Sequence, residues 1–304
     1  TGQVSFAAGH AEVPLGARAF RTKVTAPRIA VRVPLDDPTT GAVLDALEKA
    51  ALARPAEPDE TGWTGQVQIA TDGITLCDRS GPLHPPYPAD PHGLDNLAHA
   101  VRVLAQATEL RRLVGDPAYP LKADVTIEWG LVVDGAAHPL TVPDKPLVPG
   151  QKIYVKVHNR ATTAVYVSLL DIGVSGRISL VYRYTPSGRL LAAGQSLTLG
   201  YNETSQQLTG STLAWPEHLD QNHARPETIL VVLTSEPQSL LALELPAIAQ
   251  SRSTKGGYGL SRLQNMVDQL AVGGTRDVEQ DWTTGVRYNL RAIDFEMAPE
   301  PTAG

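Results

Sequence analysis

"QKIYVKVHNRATTAVYVSLLDIGVSGRISLVYRY", residues 151–184, decides the fold class of this chain. It holds three strand-length runs, "QKIYVKVHN", "AVYVSLLDI" and "RISLVYRY", rich in Val, Ile, Leu and Tyr and parted by turn residues. Working outward, "DVTIEWGLVV" (124–133) precedes it, while "QSLTLG" (195–200) and "ETILVVLTS" (227–235) follow. Short strands recurring at this spacing between Gly, Pro and Asn turns predict a β-sandwich over 118–304, with a barrel as the other closed solution. One inserted helix is predicted late in that region, because Leu260, Leu263, Met266, Val267 and Leu270 share a face. The chain then runs into "TTGVRYNLRAIDFEM" (283–297). There Val286, Tyr288, Leu290, Ile293 and Phe295 describe a long final strand with an irregularity near Ala292.

Upstream of the β region the pattern is mixed. "RIAVRVPL" (28–35) alternates as a strand, and the stretch 39–52 places Val43, Leu44, Leu47 and Ala51 on one helical face. "GQVQIATDGITLCDRSG" (65–81) reads as a hairpin turning at Asp72-Gly73. A proline-dense loop, "GPLHPPYPADPHG" (81–93), leads to a helix whose face carries Leu94, Leu97, Ala98, Val101, Leu104, Ala105 and Thr108. Residues 26–117 are therefore expected to form a small α/β unit, closed by the "GDPAYP" punctuation at 115–120. Residues 1–25 read as an N-terminal β segment or linker. The expected class is α+β, predominantly β: a small α/β unit followed by a β-sandwich with one inserted helix.

Composition narrows the function classes. The 304 residues are 42% hydrophobic and only 5% aromatic, so the core is aliphatic. A formal net charge of −6 argues against nucleic acid as the main partner, since phosphate binding needs a positive surface. The single cysteine cannot close an internal disulfide, which fits a cytoplasmic setting. Apolar runs such as "ILVVL" (229–233) are far shorter than the roughly 20 residues that cross a bilayer as a helix, so no membrane insertion is expected.

No catalytic constellation emerges from the residues. A nucleophilic cysteine needs a nearby cation, His or helix N-terminus and access to solvent. Cys77 has only Arg79 beside it in sequence and reads as a strand residue packed as a small hydrophobe. "HLDQNH" (218–223) offers His218, Asp220 and His223, but prolines flank it and no further cysteine is at hand for a structural zinc site. "DIGVSGR" (171–177) has Gly173 and Ser175 where a calcium loop would need carboxylates. "KGGYG" (255–259) lacks the spacing of a phosphate-cradling loop. No metal, no cofactor and no enzymatic centre are assigned. Two loops stand out as a ligand or partner mouth, with Tyr87 in one and Trp215, His218 and His223 in the other. Arg252 and Lys255, in the connector "SRSTKGGYG", are a candidate proteolytic linker.

The run "PLVPGQKIYVKVHNRATTAVYVSLLDIGVSGRISLVY", then "GQSLTLG" and "ETILVVLTSEPQSLLALE", resembles a bacterial domain family of unknown function. That family often lies C-terminal to caspase-like (C14) peptidase domains. "LSRLQNMVDQLAVGGTRDVEQDWTTGVRYNL" (260–290) is similar to the tail of such proteins, and the α/β stretch resembles the segment joining the peptidase and β domains in actinobacterial members. The resemblance covers 26–297 and rests on hydrophobic patterns. It implies fold and context, with the catalytic His and Cys in a peptidase domain upstream of Thr1, and no functional residue is carried over. The expectation is a non-catalytic interaction, sensing or regulatory region of a caspase-like protease, released by processing or attached in cis. Its partners would be that peptidase domain and another protein or peptide. The alternative is a standalone β-sandwich module that binds a ligand or peptide.

Overall fold

A computed structural model describes residues 28–50, 52–112, 114, 121–220, 222–244 and 287–299. The expected N-terminal segment over 1–25, the helix over 260–270 and the linker residues Arg252 and Lys255 lie outside the described residues.

The α/β unit begins with β1 (Ile29–Arg32), α1 (Thr40–Ala50) and β2 (Ala53–Pro55), and continues with β3 (Gly65–Ala70), β4 (Gly73–Asp78), β5 (Gly81–Pro82) and α2 (Pro91–Arg112). Its sheet has the order β2-β1-β3-β4-β5, with β1 parallel to β2 and β3 and the remaining pairs antiparallel. α1 buries Val43, Ala46, Leu47 and Ala50 against α2 and the sheet. α2 starts where Asp90 can cap it: the Asp90 carboxylate accepts the Gly93 N–H at 2.8 Å, and Pro91 occupies the first helical position. The β3–β4 register pairs Ala70 with Gly73, so the two-residue loop is Thr71-Asp72, one residue earlier than the sequence suggests. Gly73 is a glycine because β4 pairs there with Tyr87 of the proline loop. A Cβ at residue 73 would run into the Tyr87 carbonyl.

The β region follows as β6 (Val125–Val133), β7 (Ala136–Leu140), β8 (Lys152–Asn159), β9 (Val165–Ile172), β10 (Ile178–Leu180), β11 (Arg189–Leu191) and β12 (Ser196–Leu199). A small ribbon, β13 (Tyr201–Asn202) and β14 (Gln207–Leu208), leads to β15 (Ser211–Thr212), β16 (Arg225–Thr234) and β17 (Tyr288–Met297). One sheet has the order β12-β8-β6-β7, with β15 also on β8. The other has the order β10-β9-β16-β17, with β11 also on β9. The β6–β7 hairpin turns on Asp134 and Gly135, both at positive φ (50° and 77°), the backbone of a type I′ turn.

The two sheets enclose one core. Trp129, Ile153, Val155 and Val157 face Val165, Val167, Leu169, Ile229, Val231, Leu233, Ile293 and Phe295 across it. The alternate residues of β9 and β16 are also apolar, and Leu170, Ile172, Leu230 and Val232 point to the opposite side of their sheet. There Ala107 and Leu110 of α2, with Leu240 and Leu243, cover them. This second burial is why "ILVVL" is a continuous apolar run: both faces of β16 are enclosed. The fold is α+β and predominantly β, as the strand spacing implies.

Two details differ from the sequence reading. "RISLVYRY" does not stay a strand to its end. β10 stops at Leu180, and turns through Tyr182 and Thr185 hand the edge of β9 over to β11. The final strand has no irregularity at Ala292, because β17 pairs with β16 through ten consecutive residues. The apolar positions change phase because the covered face changes. Tyr288 and Leu290 pack on the outer cluster under α2, whereas Ile293, Phe295 and Met297 face the inter-sheet core.

Candidate functional site

The inward stripe of β9, Val165-Val167-Leu169, ends on Asp171, and the inward stripe of β16, Leu233-Val231-Ile229, ends on Glu227. Strand alternation thus places both carboxyl groups on the core side of the same sheet. Register pairs Asp171 with Ile229, which makes Glu227 its diagonal neighbour. At this end of the sandwich the core opens into a cavity of about 370 Å³. The β9–β10 turn contributes Val174, Ser175 and Arg177, and the segment after β15 contributes Leu213, Trp215 and His218.

The electrostatics of the cavity are unbalanced. Glu227 is only 8% exposed. Burial and then the neighbouring Asp171 hold its carboxyl well above the usual carboxylate range, although the Val174 backbone N–H donates to it and Arg111 opposes the shift. Burial also raises Asp171, against the counter-pull of Arg177 and Arg111. Arg111 approaches from the far side of the sheet, donating to Thr228 Oγ1 at 3.1 Å and to the Ile172 carbonyl at 3.3 Å. Asp171 Oδ1, Trp215 Nε1 and His218 Nε2 are buried and have no hydrogen-bond partner within the described protein. Burial lowers the His218 pKa, favouring its neutral ring. The cavity therefore offers two carboxyl groups that resist ionisation, an indole and unpaired polar atoms to whatever enters.

The structure brings together two of the four mouth residues suggested by the sequence. Trp215 and His218 line the cavity; Tyr87 and His223 do not. Tyr87 stacks on His84 with ring centroids 3.7 Å apart. The Leu76 N–H donates to His84 Nε2, so Nδ1 carries the proton and donates to the Pro85 carbonyl at 2.6 Å. Burial keeps that ring neutral, pushing its pKa down to about 4. His223 is exposed and contacts Asp220 at 2.6 Å. Cys77 is buried, and burial pushes its thiol pKa up, the opposite of an activated nucleophile.

Sequence reasoning passed over Glu227 and weighed Asp171 only as a calcium ligand. Alternation was the available signal, since each carboxyl group continues an inward-facing apolar stripe by one step. Among the described residues no three His, Cys, Asp or Glu side chains converge to hold a metal ion. Among the same residues no helix is long and apolar enough to cross a membrane. No protein-family model, no curated protein and no solved structure matches the chain.

Proposed function

We propose that this chain is a non-catalytic binding and regulatory module, of the kind that accompanies bacterial caspase-like peptidase domains in the cytoplasm. In this reading the cavity at the end of the sandwich takes a small molecule or a peptide side chain. Occupancy is communicated to the α/β unit. One observation carries the reading: the strand that supplies Glu227 to the cavity also supplies Arg225, two residues earlier, to the α/β unit. There the guanidinium is enclosed and clasps Asp78 at the end of β4. A shift of β16 at the cavity is thus mechanically joined to the hairpin strand. The strand plan of 146–182, with its resemblance to domains that follow caspase-like peptidases, supplies the proposed context.

Thermal-shift titration of the full chain against amines, amino acids, nucleotides and short peptides tests the binding half. Stabilisation by one chemical class, abolished in Trp215→Ala, supports it, and indifference to every class counts against it. The regulatory half is tested by adding the chain to a caspase-like peptidase domain from the same genome. A ligand-dependent change in peptidase rate is expected, and an unchanged rate removes the context.

A further inference from the structure

Resting on the binding reading above, we propose that the ligand of the cavity is a compact organic cation. A primary ammonium or guanidinium group would be held between Asp171 and Glu227, with its alkyl stem against Trp215. The argument is one of charge balance. Two carboxyl groups share the inner face of one sheet at the wall of one cavity. The cations near them are Arg111, committed to Thr228 and the Ile172 carbonyl behind the sheet, and Arg177, exposed at the rim. Neither brings the pair back to ordinary acidity, so both carboxyl groups remain reluctant to ionise. A cation placed between them would supply the missing charge, donate to Asp171 Oδ1, and lie beside an indole suited to cation–π contact. A volume of about 370 Å³ admits a molecule the size of a diamine or an arginine side chain.

The inference has a signature that mere occupancy lacks. Binding a cation to a protonated carboxyl pair must release a proton, so affinity rises with pH as Glu227 ionises. Other titratable and charged groups lie around this pair: Arg111 of α2, Arg177 of the rim and His218 of the opposite loop, with Asp294 of β17 (bonded to Thr228) and Asp78 acting on Arg111 behind the sheet, and Arg225 paired to Asp78 at the foot of β16. Among them His218 alone titrates near neutrality by type, and its protonation would weaken cation binding in the same direction as that of Glu227. The Glu227→Gln variant separates the two.

Isothermal titration of the full chain with cadaverine, agmatine and N-acetyl-arginine amide tests the proposal, with 1,5-pentanediol and glutarate as neutral and anionic counterparts of similar length. The expected result is binding of the cations alone, strengthening at least fivefold from pH 6 to pH 8.5. Heats that depend on buffer ionisation would report the released proton. Asp171→Asn and Glu227→Gln each weaken it at least tenfold. Binding of agmatine or cadaverine without the arginine amide identifies a free amine, and preference for the amide identifies an arginine side chain of a peptide. Glutarate or pentanediol binding in a Trp215-dependent manner overturns the cation while leaving the cavity a binding site. No binding by any probe, together with no stabilisation across the wider panel, removes both. Melting temperatures of the two variants, expected to equal or exceed the parent's at pH 8, exclude misfolding as the cause of lost binding.

Discussion

Arg225 and Asp78, 147 positions apart in the chain, meet through two contacts of 3.1 Å, and the arginine side chain has no solvent exposure. The same guanidinium donates to the Pro82 carbonyl at 2.8 Å, so it grips both strands of the β4–β5 corner. Removing one member of a buried pair strands the other. Asp78→Ala is therefore expected to cost about 3 kcal/mol in denaturant unfolding, near the lower end of what such deletions cost. The double variant Asp78→Ala/Arg225→Ala should lose clearly less than the sum of the singles. Simple additivity in the cycle would show that the two groups do not act together.

The cavity carboxyl groups make stability fall on the alkaline side. Glu227 and Asp171 have folded pKa values raised above their ordinary 4.5 and 3.8, so the folded chain holds protons that the unfolded chain has already lost. Their contribution is full below the unfolded values and fades as pH climbs through the folded ones. His84 acts with opposite sign. Its folded pKa is lowered from 6.5 to about 4, so its contribution is present above pH 6.5 and lost as pH falls toward 4. Above pH 6.5 the carboxyl pair alone sets the slope between these three groups. Melting temperature should then decline from pH 6.5 to 8.5, and Glu227→Gln should flatten that decline. An identical slope in parent and variant would refute the assignment.

Cys77 is 2% exposed and its thiol is held in the protonated form. Alkylation by iodoacetamide at pH 7.5 is expected to be slow in the native chain and complete in denaturant, with mass spectrometry as the readout. Labelling as fast as that of a free thiol would return Cys77 to consideration as a reactive group.

Leu110 of α2 lies on the outer face of the β9–β16–β17 sheet, 2% exposed, beside Leu170 and Leu230. Leu110→Ala should cost about 3 kcal/mol through the cavity it leaves. Leu35, 72% exposed, is the contrasting control, and its replacement by Ala should change stability by less than about 0.5 kcal/mol. Equal effects at the two positions would mean that α2 does not cover the sheet in solution.

Much of this was legible beforehand. Alternation and turn residues located the long strands from 125 onward, though not the short β7, β11 and β13–β15, and helical spacing found α1 and α2, the two α-helices among the described residues. Burial on two sides was harder to read. A run such as "ILVVL" is equally a buried strand or part of a buried helix, and only pairing with β9 and β17 shows which face each residue serves. The phase change in β17 looked like a backbone defect because periodicity reports which face is apolar, not what covers it. The cavity was half visible. Trp215 and His218 drew notice as an aromatic and a histidine on one loop. Glu227 and Asp171 did not, because a carboxyl group next to an apolar run is ordinary wherever a strand ends at the surface. It becomes unusual only once the opposing sheet and the loop after β15 are seen to enclose it.

α2 contributes to two cores. Leu97, Val101 and Leu104 belong to that of the α/β unit, while Ala107 and Leu110 lie on the outer face of the sandwich. A single rigid rod anchored at both ends couples the two halves in unfolding, so one half cannot open without fraying the cover of the other. Native-state hydrogen exchange would then find the slowest amides of α2 and of β16 opening with one shared free energy. A chain cut at 118 would expose Leu170, Leu230, Val232 and Leu290 as one greasy sheet face. Division at the Gly-Pro punctuation therefore yields an aggregating half-protein, and laboratory dissection of the binding half must carry α2 with it.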